Sequence, residues 1–256
     1  MPSRCSAVAA AWIFAGVRLR PALLATGVRA KRWRATGGEW VRPVLRPADW
    51  RREWTTDGPE PRAWAIDFPP GADERDLAAA GEAGRCFTRS GARIPRAGAG
   101  AGLRIALAKC DRFLATPAGK RAARWRWLPG TTLPCGELVV VARDDEFLAG
   151  VLASWWFDLW WRHGPGGRLD VGSARSFPLP WPVETPRGAL TREQEERRSA
   201  VVRAWRAAGD GAPRYASADE ADDGLTRTVA AAYGWPAEID GADALARLRL
   251  RAWPMA

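Results

Sequence analysis

The chain has 256 residues, enough for one generous domain or two small ones, and its 47% hydrophobic content with 16 tryptophans excludes a simply disordered polypeptide. Its formal net charge of +10 is unevenly spread: residues 1–135 hold 24 basic and 11 acidic residues, and residues 136–256 hold 15 and 18. A basic front half suggests an anionic partner, usually nucleic acid, but 36 Arg to 3 Lys and no Asn also fit a GC-rich coding bias, so composition alone leaves that open.

The first 36 residues read as a basic, helix-prone lead-in of uncertain order. Residues 5–17 are apolar but shorter than the roughly 20 residues that span a bilayer. Arg18 and Arg20 follow, and then a basic cluster from Arg29 to Arg34, which argues against a cleaved leader. From Trp40 to Phe68 short apolar stretches are broken by Pro, Gly and Asp. WAIDF (64–68) alternates as a strand and ends at Pro69-Pro70-Gly71. Residues 72–83 predict a short helix, and the Gly/Ala-rich residues 90–102 a loop. RFLAT (112–116), ARWRWL (123–128) and ELVVVA (137–142) predict strands.

A long helix is expected over 147–161, capped by Asp144 or Asp145 and stopped by His163-Gly164-Pro165-Gly166-Gly167. Its aromatic stripe of Trp155, Trp156, Phe157, Trp160 and Trp161 has the spacing of core packing rather than of base stacking. The acidic run Asp144-Asp145-Glu146 reads as a helix start, not a metal site. After SFPLPWPVETP (176–186), a charged amphipathic helix runs from Leu190 to about Ala208. The remainder is helical, with a break at 233–236. The whole is expected to be α+β: a lead-in (1–36), a mixed-sheet domain (37–182) and a helical C-terminal section (183–256).

Chemistry is harder to find. Cys5, Cys86, Cys110 and Cys135 form no CxxC pair and His163 is the single histidine, so structural zinc lacks close-spaced ligands. Reduced thiols in a cytoplasmic protein are the expectation. A DNA methyltransferase needs a polar residue followed by Pro-Pro-aromatic, which grips and stacks on the flipped base. Asp67-Phe68-Pro69-Pro70-Gly71 has those elements in the wrong order, and Gly98–Gly102 lacks the strand that a phosphate loop follows. None of Lys31, Lys109 and Lys120 has an acid two residues earlier, as the common metal-dependent nucleases require. His163 at a helix end reads as a cap. No active site emerges.

Four stretches, in order, resemble the C-terminal part of the MmeI-like (type IIL) restriction-modification enzymes and their lone adenine methyltransferase relatives. WVRPVLRPADW (40–50) leading to AWAIDF (63–68) is similar to that family's RP-(F/Y)-L-x-x-x-D stretch and W-x-I-D-F strand. RFLATPAGKRAARWRWLP (112–129) is similar to its R-(F/Y)-I-A-T-P-x-x-(S/A)-K-H-R run. VVVARDDEFLAGVLASWWFDLWW (139–161) resembles its ARDDDYFFGVLHSRVHELW helix and continues to SFPLPWP (176–182). VAAAYGWPAEIDGADALARL (229–248) resembles its closing segment. Together they cover about residues 40–256.

The resemblance implies the target-recognition end of a bacterial S-adenosylmethionine-dependent adenine-specific DNA methyltransferase. Such a module docks on double-stranded DNA and is not catalytic by itself. It implies no cofactor in this chain: S-adenosylmethionine is expected on a missing or separately encoded methyltransferase chain. No membrane partner is expected. In the family the loop before the Pro-rich stretch carries base-reading residues near R-Y-T-P-T, whereas here RLDVGSARS (168–176) lacks the Tyr, Thr and Pro.

Candidate DNA contacts follow from the residues. Arg112, Lys120, Arg121, Arg124 and Arg126 fall in a 15-residue window with no acid after Asp111. On a strand Arg124 and Arg126 share one face and Trp125 and Trp127 the other, as a DNA-facing sheet needs. Lys120 and Arg121 are the foremost phosphate candidates, and Arg168, Ser173 and Arg175 form the second group. Two other readings stay open: a degenerate, non-functional fragment of such an enzyme, and a basic scaffold for RNA or an acidic protein.

Overall fold

A computed structural model describes residues 12–51, 61–94, 98–120, 123–164, 166–182, 185, 189–209, 224–236 and 238–252. Arg121, Cys5 and most of the apolar run at 5–17 lie outside the described residues. The fold is α+β, as the sequence leads one to expect. The chain divides into a sheet unit of Phe14–Pro117 and Trp127–Asp144 and a helical unit of Met1–Ile13, Ala118–Arg126 and Asp145–Ala256.

The sheet unit contains, in order, β1 (Ile13–Ala15), β2 (Leu24–Ala25), α1 (Gly27–Gly37), β3 (Val41–Leu45), β4 (Trp64–Ile66), α2 (Glu74–Ala79), α3 (Gly81–Arg89), α4 (Ala99–Leu107), β5 (Arg112–Pro117), β6 (Arg126–Pro129), β7 (Leu133–Pro134) and β8 (Leu138–Val141). The first residues of β1 and β6, Ile13 and Arg126, belong to the helical unit. One sheet has the order β1-β8-β5-β6. All four residues of β8 are buried, which suits an inner strand covered on both faces. β5 pairs with it antiparallel, Leu114 opposite Val141 and Thr116 opposite Val139. The other sheet has the order β2-β4-β3-β7, with β4 antiparallel to β2 and β3, and β7 parallel to β3.

Two cores hold this unit. Val44, Leu45, Trp50, Leu103, Leu107, Phe113, Leu138 and Val140 make one. Trp33, Val41, Ile66, Phe68 and Phe87 make the other. Each large side chain so buried contributes on the order of 1.5–3 kcal/mol. The expected loop at 90–102 is corrected here: helix α4 begins at Ala99. Leu103 and Leu107, one turn apart, are fully buried beside Phe113, and that burial outweighs the poor helix propensity of Gly100 and Gly102. The single helix expected over 72–83 is two. Asp73 and Asp76 form a capping box that starts α2, and α3 follows from Gly81, whose φ is +56°. The predicted strand at 64–68 stops at Ile66 because Asp67 turns inward. Its Oδ1 accepts from Arg104 Nε at 2.7 Å and its Oδ2 from Arg42 Nη1 at 3.3 Å. Arg42 also donates to the carbonyls of Gly130, Thr131 and Thr132. Asp67-Phe68-Pro69-Pro70 is thus a structural corner, with Phe68 stacked on Trp40.

The helical unit contains α5 (Glu146–Ala153), α6 (Trp155–His163), α7 (Val171–Ser176), α8 (Arg192–Ala208), α9 (Gly224–Tyr233) and α10 (Gly241–Ala252). Asp145 is the cap of α5, accepting from Phe147 and Leu148 N–H. The predicted continuous helix over 147–161 breaks at Ser154, which is extended (ψ 159°) and returns its hydroxyl to Val151 O at 2.7 Å. The break sets α6 off from α5, and the aromatic stripe goes into the core as expected. Trp155, Trp156, Phe157 and Trp161 are buried and Trp160 half-buried. Gly150 lets α5 approach α8, since a Cβ there would lie 2.7 Å from Val201 Cγ1. Thr191 and Gln194 cap α8 reciprocally. Among the described residues no helix is long and apolar enough to cross a membrane.

Candidate nucleic-acid interface

The basic residues singled out by sequence fall into three groups with different fates. The first lies on the segment from Ala118 to Arg126, in the helical unit. Gly119, at φ +143°, forms an antiparallel bridge with Leu169: its N–H donates to Leu169 O at 2.9 Å, and Leu169 N–H donates back at 2.7 Å. Leu169 is completely buried, while the residues next to the bridge on each segment, Lys120 and Arg168, are both exposed. Two exposed cations 48 residues apart in sequence thus each flank the same backbone bridge. Among the described residues neither has an ion-pair partner.

The same segment is held a second time. Asp158 Oδ1 accepts from Ala123 N–H at 3.2 Å and from Trp161 Nε1 at 2.8 Å, and Arg162 lies 3.5 Å from the other oxygen. Trp125 is buried against Phe157, ring centroids 5.8 Å apart. Neighbouring residues of α6 thus grip Ala123 and Trp125, and Arg124 lies between them, half-buried, with Arg126 just beyond. Burial pushes the Asp158 carboxyl above the usual aspartate value, against the pull of Trp161, Ala123 and Arg162. Asp158 is a positioning residue that sequence reasoning misses, although it is the single acid in the apolar run WWFDLWW.

The expected strand through 123–128 is realised only from Arg126 onward. Trp125 and Leu128 are buried and Trp127 is half-buried, so the period-2 alternation does not carry through. Arg124 and Arg126 do not share one flat strand face.

The second group, Arg168, Ser173 and Arg175, is divided by α7. Ser173 and Asp170 form a capping box: Asp170 N–H donates to Ser173 Oγ at 2.9 Å and Ser173 N–H to Asp170 Oδ1 at 2.8 Å. The Ser173 hydroxyl donates to Asp170 O at 3.0 Å. Arg175 donates through Nε and Nη2 to Ile13 O, at 3.1 and 2.6 Å. Trp160 Nε1 donates to Ser173 O, and Phe177 packs edge-on against Phe157. These bonds fix the loop that presents Arg168.

Arg112 stands apart, in the sheet unit. Its Nε donates to Asp144 Oδ1 at 2.8 Å and its guanidinium lies 4.3 Å from the Trp127 ring. Glu146 accepts from Arg206, and Asp145 is occupied as a cap, so each acid of the 144–146 run has its own local partner. Among the described residues no group of three His, Cys, Asp or Glu is placed to hold a metal ion.

Comparison with known proteins adds a likeness to a solved structure. No protein-family model and no curated protein matches the chain. The solved structure of the type IIL restriction-modification enzyme MmeI in complex with DNA superposes with a TM-score of 0.56 over 94% of this chain, at 13% sequence identity. The likeness is one of fold. The chain spans 35% of the length of the MmeI chain.

Proposed function

We propose that this chain is a recognition module for double-stranded DNA, serving a restriction-modification type adenine-specific methyltransferase whose catalytic part, with its S-adenosylmethionine, is carried elsewhere. The observation that carries the reading is the Gly119–Leu169 bridge, flanked by exposed Lys120, on a segment clamped again at Ala123, and by exposed Arg168. Each of these exposed cations can neutralise a phosphate, and a backbone held in place in advance lowers the ordering cost of binding. Arg124 and Arg126 continue the same segment. The fold likeness to a restriction-modification enzyme solved with DNA favours duplex DNA as the polyanion.

The test is binding of the purified chain to a mixed-sequence duplex across a salt series, with selection from random sequence alongside. Lys120→Ala with Arg168→Ala should weaken binding to every sequence and lower the salt slope by about two, one for each phosphate that is no longer neutralised. Unchanged binding removes this surface as the interface. Equal binding to an acidic polypeptide or to RNA selects the basic-scaffold reading.

A narrower reading has its own observation. Ser173 and Arg175 are engaged in holding α7, and the loop lacks the family's Tyr, Thr and Pro. A degenerate fragment of this kind grips phosphates without reading bases. Salt-sensitive binding with no enriched motif selects it.

A further inference from the structure

The densest run of exposed cations lies elsewhere, on α1 of the sheet unit. Ala30, Trp33 and Gly37, spaced as one helical stripe, are buried. Arg29, Lys31, Arg32 and Arg34 are all exposed on the remaining surface. Their side chains are largely pinned by their own unit. The Arg29 guanidinium lies 4.5 Å from the Trp33 ring and reaches Ala22 O, and that of Arg34 lies 4.1 Å from the Trp64 ring. Arg32 bonds Glu82 of α3 at 3.1 Å, and beside that helix Arg20 donates to Ser90 O at 2.8 Å. Arg85 and Arg89 on α3 are exposed as well.

We infer that the α1 face is a second docking surface for the sugar-phosphate backbone of duplex nucleic acid, distinct from the Lys120–Arg168 site. Its chemistry separates a nucleic acid from a protein partner. Protein interfaces bury a core poor in charge and rich in aromatic residues. Here the tryptophans are already covered by guanidiniums and Val28 is the one strongly exposed large apolar side chain of the helix. What remains outward is N–H donors and positive charge, the composition of a protein–DNA interface. Stacking on indole restrains Arg29 and Arg34, so donors are held ready for phosphate oxygens instead of being ordered on contact. Such donors position a duplex and carry no sequence information. That the duplex is DNA rests on the function proposed above; the surface itself does not.

The test uses the whole chain and fluorescence anisotropy of a labelled 30-bp DNA duplex over a salt series. The variants are Arg29→Ala with Lys31→Ala, Lys120→Ala with Arg168→Ala, and all four changes together, with Arg29→Lys as a charge-preserving control. Thermal melting checks that each is folded. The α1 variant should bind several-fold more weakly with its salt slope lowered by about two, equally on every sequence, and the four-site variant should bind more weakly still. Wild-type binding by the folded α1 variant overturns this inference and leaves the first site standing. Loss in the α1 variant alone overturns the Lys120–Arg168 reading instead. Equal loss of binding to polyglutamate overturns the assignment of a nucleic acid to the α1 face.

Discussion

The two units solve the same problem with different materials. The sheet unit buries mostly aliphatic and small residues on short strands, and inside it lies one charged knot, Asp67 between Arg42 and Arg104. The helical unit is built on indoles, and several of its hydrogen bonds between elements are donated by a tryptophan. Trp156 donates to Thr226 O, Trp160 to Ser173 O and Trp161 to Asp158. Aliphatic packing is indifferent to polar neighbours, whereas an indole buries a large area and still asks for an acceptor. The sheet unit therefore concentrates much of its polar risk at Asp67, and the helical unit distributes it over several indoles.

Substitutions sharpen that contrast. The largest effect is expected for Asp67→Ala. It strands two arginines, one of them already pushed below its ordinary range by burial and by Arg104, at a cost of about 3–5 kcal/mol. Chemical denaturation should show a shifted midpoint, and an unchanged midpoint would mean that Arg42 is satisfied by the 130–132 carbonyls alone. Next comes Gly150→Val. It places a side chain against Val201 and Trp205 and should cost about 1–3 kcal/mol through overpacking between α5 and α8. Full stability would show that the two helices separate freely.

Asp158→Asn should have a smaller effect whose sign depends on pH. The folded-state pKa of Asp158 is raised, so the folded protein holds this proton more tightly than the unfolded chain does. Its contribution is therefore favourable below the ordinary aspartate value and is lost as pH rises through the higher folded value. The variant should gain stability relative to the wild type as pH rises from about 4 to 8. A constant difference in melting temperature would show that the carboxyl titrates normally. Smallest of all is the stability effect of Lys120→Ala with Arg168→Ala, within about 0.5 kcal/mol because both are exposed. That near-neutrality is what makes its binding defect interpretable.

Local signals are legible in the sequence. Asp145 before an apolar run is a cap, the continuous ELVVVA stretch is an inner strand, and the WWFDLWW spacing is core. What eludes the sequence is non-local or cooperative. Nothing near Gly119 announces that it bonds Leu169, since the partner lies 50 residues on and the pairing is made by backbone alone. Arg175 reads as a free cation until Ile13 O is brought to it. The helix at Ala99 looks like a loop because glycine propensity is visible in the string and the burial of Leu103 and Leu107 is not. Ser154 interrupts its helix although the apolar run continues on either side, its hydroxyl turned back on Val151 O. Conversely, the basic residues of 112–126 form one cluster in the string, yet Arg112 and Lys120 belong to different units.

One property of the Gly119–Leu169 bridge reaches past the charges it now displays. The bridge that positions 120 and 168 flank is made by two peptide groups and owes nothing to the side chains beside it. The geometry of the patch and its electrical sign are thus independent variables. Glutamates at both positions would give an anionic pair on an unaltered scaffold, and a neutral pair would leave a bare platform of the same shape. A lineage carrying this bridge is free to exchange what it grips without relearning how to fold.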